Sequence, residues 1–268
     1  MNNHSTIAWT LCLGMLLACG AGPSAKRRPL KSARQGGIYV VAHRGSHAVY
    51  PENTLAAYQQ AIDEGADFVE IDVRTTLDRR FVSFHDAFLT IPPDAKRARI
   101  SELTLQQLQA LDLGGPPGID KTHNRIPELS EICKLCKGRI GIYLDLKQAP
   151  VDTLVRLIQD WDMTGDVWWY ADEDELEQVL EQCPDCLVMP DPGPEKNLLP
   201  LLQRFNPRLV ATTWERFSPS FARRCHQAGA KVIMDEGQPD CWRQALEWGC
   251  DGIQTDHPAE LIEFLVDR

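Results

Sequence analysis

The sequence predicts an α/β protein, a (β/α)8 barrel, and three observations carry the prediction. Short apolar strands alternate with amphipathic helices from residue 38 onward. Repeated βα alternation implies a parallel sheet with right-handed crossovers. The alternation gives close to eight units in about 230 residues, which favours a closed barrel over an open doubly wound sheet.

The elements follow in order. A strand over 38–42 leads to a helix over 54–64, and a strand over 67–73 to a second short strand over 80–85. A short insertion after the second strand holds a helical piece over 103–111 and a Gly-Pro-rich loop at 114–118; a helix over 129–137 follows. Strand 140–146 precedes helix 151–161, strand 167–170 helix 174–182, and strand 187–190 helix 195–205. The run closes with strand 209–213 and helix 219–228, strand 231–234 and helix 240–248, then strand 252–255 and helix 258–266.

Composition narrows the function classes. The chain has 268 residues, 43% hydrophobic and 25% charged, ordinary values for a globular protein. Its net charge of −10 and pI near 5.2 argue against a nucleic-acid partner, because affinity for a phosphate backbone needs a basic face.

The N-terminal residues form a separate object. Ile7 to Ala18 is an apolar run, short for a bilayer span and suited to the core of a signal segment, so residues 1–18 are expected to be a signal peptide. The run ends in Leu16-Leu17-Ala18-Cys19, which resembles the lipobox of bacterial lipoprotein precursors. That resemblance implies lipidation at Cys19, a tether over 19–37 and a barrel over 38–268, held at the bacterial cell envelope by a lipid anchor. A plain cleaved signal and a secreted protein is the alternative. Among the other cysteines, Cys133/Cys136 and Cys183/Cys186 both have disulfide-compatible C-x-x-C spacing.

Glu70 and Asp72, in Phe68-Val69-Glu70-Ile71-Asp72-Val73, are the strongest chemical signal. Period two puts Phe68, Glu70 and Asp72 on one face and Val69, Ile71 and Val73 on the other. Two neighbouring acids on an apolar strand are costly to bury unless a cation or strong donors compensate them, and a hard divalent metal with oxygen ligands does so. His43 and Arg44 follow the first strand, His85 ends the hairpin, Asp145 and Lys147 share one face of the strand 140–146, and Asp256 follows the last strand. All fall at the C-terminal ends of strands, where such barrels place active sites.

In this arrangement the chain resembles the glycerophosphodiester phosphodiesterase family. The resemblance rests on His43-Arg44-Gly45, Pro51-Glu52-Asn53-Thr54, Glu70-Ile71-Asp72, His85-Asp86 and Thr255-Asp256-His257-Pro258, with Ile126-Pro127-Glu128-Leu129 ahead of the third barrel strand. It spans about residues 39–265 and implies the barrel of that family, acting on a small-molecule glycerophosphodiester to release glycerol 3-phosphate and an alcohol. It further implies one divalent cation, Ca2+ or Mg2+, on Glu70, Asp72 and Asp145, with Glu52 in support. Asp145 stands where the family usually has Glu, one methylene longer. The resemblance makes His43 and His85 an acid–base pair, with His43 taken as base and His85 as acid, the reverse order being open. Arg44 and Lys147 would spread charge on the phosphoryl oxygens, and Trp214 would line the wall for the alcohol or pack on the rim. Around Asp235 and Glu236 the chain has acids where the family has a Trp-Thr pattern. Two further readings stand beside this one: a phospholipase- or sphingomyelinase-D-like lyase on intact lipid, and a non-catalytic surface lipoprotein that uses the barrel for binding.

Overall fold

Period-two alternation along the strands sorts the side chains into two cores. The computed structural model describes residues 29–91, 96–118, 120 and 122–268; the expected signal segment and Cys19 lie outside them. In chain order the elements are β1 (Tyr39–Ala42), α1 (Leu55–Glu64), β2 (Phe68–Thr75), β3 (Phe81–Ser83), β4 (Phe88–Ile91), β5 (Lys96–Arg99), α2 (Leu105–Gln109), α3 (Leu129–Cys136) and β6 (Gly141–Gln148). Then come α4 (Val151–Asp160), β7 (Val167–Tyr170), α5 (Glu173–Gln182), β8 (Leu187–Val188), α6 (Leu198–Phe205), β9 (Leu209–Thr213), α7 (Pro219–Gln227), β10 (Lys231–Asp235), α8 (Trp242–Glu247), β11 (Gly252–Thr255) and α9 (Pro258–Val266).

Eight of the strands are parallel and ordered β8-β7-β6-β2-β1-β11-β10-β9, with β3 added antiparallel on β2. The sheet curls until its ends meet: just past β8, the Ala211 amide of β9 donates to the Pro190 carbonyl at 3.0 Å. This is the expected barrel, nearly closed. Val69, Ile71 and Val73 of β2 join the layer under the helices with Tyr58, Ile132 and Leu154. Phe68 points the other way, into the barrel, with Tyr39, Trp168, Leu209 and Ile233. There Phe68 and Trp168 stack at 3.7 Å, and Tyr39 meets Trp168 edge-on at 5.0 Å. Each large apolar side chain so buried contributes about 1.5–3 kcal/mol. The barrel's lower interior is therefore filled, and only its upper end, above the aromatic layer, is polar.

The floor is sealed from below. Arg34 donates its amide to Asp67 Oδ1 and its guanidinium to the Ala66 carbonyl, both at 2.9 Å. Leu30 and Ala33 pack against the interior cluster. Residues 30–34, expected to belong to the tether, thus cover the N-terminal ends of the strands.

Residues 76–128 are more structured than the sequence suggested. Besides β3 they hold the β4–β5 hairpin and α2, with their own small core of Val82, Leu89, Ile100, Leu108 and Ile126. The hairpin was not expected from the sequence. Its exposed Arg97 and Arg99 lie over the Phe88 ring at 4.2 and 4.6 Å, so their charge coexists with strand pairing. Of the two C-x-x-C pairs, Cys183 and Cys186 are bonded. Cys133 and Cys136, both turned into the core from α3, are free thiols, and burial pushes Cys133 up to about 12. Among the described residues no helix is long and apolar enough to cross a membrane.

Gly141 opens β6 beside the Phe68 ring, where an added Cβ would meet ring carbons at 2.2 and 2.4 Å. Gly141→Ala must displace the aromatic layer, and overpacking of this kind costs about 1–3 kcal/mol. The expected outcome is a lower urea midpoint for that variant; an unchanged midpoint would mean that the layer is loosely packed.

Candidate active site

Strand register builds the acid cluster. Asp72 of β2 pairs with Asp145 of β6, and Glu70 lies two residues below Asp72 on the same face. One oxygen from each carboxylate falls within 4.8 Å of the others. Glu70 and Asp72 are 2% and 1% exposed. Burial first, then the neighbouring charges of Asp72 and Asp145, pushes Glu70 well above the usual carboxylate range. Burial also raises Asp145, against the pull of Lys147. Three crowded acids on an all-oxygen donor set fit a hard divalent cation. The shorter Asp145 side chain still reaches the cluster because its strand is directly paired with β2.

Two bases share the cluster. Lys147 Nζ donates to Asp145 Oδ2 at 2.6 Å and lies 3.5 Å from Asp72 Oδ1. Arg44 Nε is 3.6 Å from Asp72 Oδ2, without a hydrogen-bond partner although buried. The Arg44 amide donates to Glu70 Oε2 at 2.8 Å. That bond accompanies a left-handed backbone at Arg44, φ 52°, followed by Gly45 at φ 85°. Gly45 is required twice over, since a Cβ there would also sit 2.8 Å from Ala57.

The Pro-Glu-Asn-Thr stretch serves the same cluster. The Asn53 amide donates to the Arg44 carbonyl at 2.9 Å. Asn53 Nδ2 donates to Asp72 Oδ2 at 2.7 Å, while its Oδ1 accepts from Tyr58 and Ser83. Thr54 caps α1, its hydroxyl accepting from the Ala57 amide.

The two imidazoles reach the same cavity from different elements. His43 Nδ1 is 2.7 Å from Asp256 Oδ1 and His85 Nδ1 is 2.9 Å from Asp86 Oδ1, which leaves Nε2 of each ring free of a hydrogen bond. Arg74 holds the His85 segment by donating to the Phe84 and His85 carbonyls at 3.0 Å. The cavity encloses about 180 Å³ and is lined by both histidines, Arg44, Lys147 and the three acids, with Tyr143, Tyr170 and Asp235 on the far wall.

A family model described as the glycerophosphoryl diester phosphodiesterase family matches residues 43–168, the segment that carries His43 through Lys147. A Bacillus subtilis relative is 36% identical over 42% of this chain and 46% of its own length, so the chain spans less than half of that protein. The glycerophosphodiester phosphodiesterase of Caldanaerobacter subterraneus is 25% identical over 84% of this chain and 97% of its own. A solved structure of an Oleispira antarctica phosphodiesterase, in complex with the product sn-glycerol-3-phosphate, superposes with a TM-score of 0.76 at 24% identity, over 86% of this chain and 97% of that one. In its N-terminal half and in its fold the chain is similar to the glycerophosphodiester phosphodiesterases.

Within the family's pattern two expected site residues stand elsewhere. Glu52 holds Arg44, with both carboxylate oxygens 3.0 Å from Nη1, and stays outside the acid cluster. It is half-exposed because the loop before α1 carries it over the guanidinium. Of the two places open to Trp214, it takes the packed one: its ring stacks on Trp248 at 5.2 Å against the helix-side core. The aromatic part of the cavity wall is made by Tyr143 and Tyr170, their rings 5.6 Å apart. Sequence reasoning missed Asn53 and Arg74 as parts of the site, and His47 as a second partner of Asp256 outside the cavity lining. Asn53 lay in a quoted motif, but nothing in one sequence aims its side chain at Asp72.

Asp256 is shared by two imidazoles, His43 and, at 3.1 Å, His47 Nε2. Hydrogen bonds from His43 and then His47 hold its carboxyl far below the usual range, and the bond to Asp256 raises His47. A depressed acid stabilises the fold above the ordinary carboxylate pKa, and that contribution fades as pH falls. A raised imidazole stabilises it below the ordinary imidazole value, fading as pH climbs. The stability gap between the parent protein and Asp256→Asn should therefore be widest near about pH 5–6 and shrink on both sides. Urea denaturation across pH checks this, and a flat gap would mean that the carboxylate is not held by imidazoles in solution.

Proposed function

We propose that this protein hydrolyses glycerophosphodiesters to glycerol 3-phosphate and an alcohol, with one divalent cation held by Glu70, Asp72 and Asp145. The observation that carries the reading is the single cavity in which two anchored imidazoles face a cluster of three acids and two bases. When bound, the cation would supply Lewis-acid charge for the phosphoryl oxygens; its donor set suits Ca2+ or Mg2+.

The chain's own groups supply the rest. His43 Nε2 takes a proton from the attacking water as the new O–P bond forms, and Asp256 at Nδ1 fixes the tautomer and stabilises the imidazolium. His85 gives a proton to the leaving alkoxide as the old P–O bond breaks. This order follows from exposure: the His43 side chain is 14% exposed and tied to a strongly acidic carboxyl, whereas His85 is 39% exposed, on the side from which an alcohol can leave. Arg44 and Lys147 reach the phosphoryl oxygens from the cluster's edge and match their negative charge. The small polar cavity supports a compact diester over an intact lipid. In the same reading, a signal segment at 1–18 and lipidation at Cys19 place the protein at the bacterial envelope, and mass spectrometry of the mature N-terminus tests that part.

His43→Ala and His85→Ala should each lower turnover about 10²–10⁴-fold in a coupled glycerol 3-phosphate assay, with urea midpoints close to the parent's. Chelation should abolish turnover, and added Ca2+ or Mg2+ restore it. Activity that survives His43→Ala, or that ignores the chelator, would refute the assignment. Faster turnover on intact phospholipid than on its deacylated form would favour the lyase reading.

A further inference from the structure

The barrel mouth carries a second set of donors, chemically unlike the acid cluster. His47 lies four residues beyond His43, in the loop after β1, and its Nε2 is 3.1 Å from Asp256 Oδ1. His43 Nδ1 is 2.7 Å from the same oxygen. All three donor atoms lie within 4.8 Å of one another, and all three side chains are half-buried. Hydrolysis needs only one imidazole on Asp256; the second is left without a task. Four ligands at zinc's usual bond lengths of ~2.0–2.2 Å sit about 3.3 Å apart in a tetrahedron; the imidazole nitrogens here lie 2.7 and 3.1 Å from the shared carboxylate oxygen, so the three side chains would open slightly around an ion. Two imidazoles and a carboxylate suit zinc and its neighbours in the transition series, whereas Glu70, Asp72 and Asp145 suit calcium or magnesium.

We propose that His43, His47 and Asp256 form a transition-metal site of the zinc class, and that filling it switches the enzyme off. The switching half rests on His43 as the base; the binding half does not. The chemistry of the switch lies in the imidazole. A neutral ring has one nitrogen lone pair in its plane, and a metal on Nδ1 uses it, leaving the ring proton on Nε2. Nε2 then faces the substrate as a donor and has no pair with which to accept a proton. Asp256 offers a carboxylate oxygen that both imidazoles already face, at 2.7 and 3.1 Å. Solvent fills the fourth position. A hard ion in the acid cluster would thus activate the protein, and a borderline ion some residues away would silence it.

The test uses the full chain in saturating Ca2+, which occupies the acid cluster and is spectroscopically silent. Titrated Co2+ should give the visible absorption of a tetrahedral N/O site, displaced by Zn2+, and calorimetry should show one zinc bound. Zinc should block turnover of glycerophosphodiesters, and a zinc-selective chelator that spares calcium should restore it. In His47→Ala and His47→Gln zinc binding should weaken at least ~100-fold, beyond what losing a group that merely orients a ligand costs. Both variants should keep most of their turnover and escape the inhibition. Absence of the cobalt band, or zinc binding undiminished in both variants, overturns the site. Binding without inhibition of the parent overturns the switch. A protein that binds zinc through His47 but never turns over substrate overturns the hydrolytic reading and leaves the metal site standing.

Discussion

Three carboxylates on two adjacent strands cannot share a dry barrel mouth unless positive charge meets them, and most of the site answers that constraint. Parallel register brings Asp72 level with Asp145 and puts Glu70 one step below. Around them the chain has gathered the Lys147 ammonium, the Arg44 guanidinium and amide, and the Asn53 side-chain amide. These donors satisfy some of the lone pairs and leave burial to lift Glu70. A divalent ion would supply the missing charge, and affinity for it would then share one origin with the cost of folding the apo barrel.

The local backbone is shaped to the same end. The left-handed turn at Arg44 and Gly45 aims an amide at Glu70, and the left-handed Asn53 brings its side chain to Asp72 while its own amide holds the Arg44 carbonyl. Backbone conformations that cost energy elsewhere are offset here by hydrogen bonds to buried charge. The imidazoles use a different device: each is fixed through Nδ1 by an acid outside the cluster, with Nε2 left without a hydrogen bond.

The barrel was legible in the sequence because its strands are short apolar runs between helices, and the period-two split of 68–73 appears in the structure as two separate cores. His43, Glu70, Asp72, His85, Asp145 and Lys147 were legible as a group because each lies on a strand or just past one, and these strands converge on one cavity. What stayed hidden depends on loops. His47 and Trp214 are loop residues whose direction no periodicity sets; one turned inward to Asp256 and the other onto Trp248. The β4–β5 hairpin carries basic residues whose guanidinium groups lie over Phe88 while their side chains stay exposed, and the one buried residue of β5, Ala98, left little pattern to read. Cys133 and Cys136 had the spacing of a bonded pair but sit on a helix face as ordinary core side chains.

The seal beneath the strands separates two jobs along the barrel axis. Leu30 to Arg34 are fastened across the closed end, with Arg34 locked onto Ala66 and Asp67. The polar cavity opens at the other end, beyond the aromatic layer of Phe68 and Trp168. Changes to the plug therefore act on stability through the packed floor, and reach the acid cluster only by way of that layer.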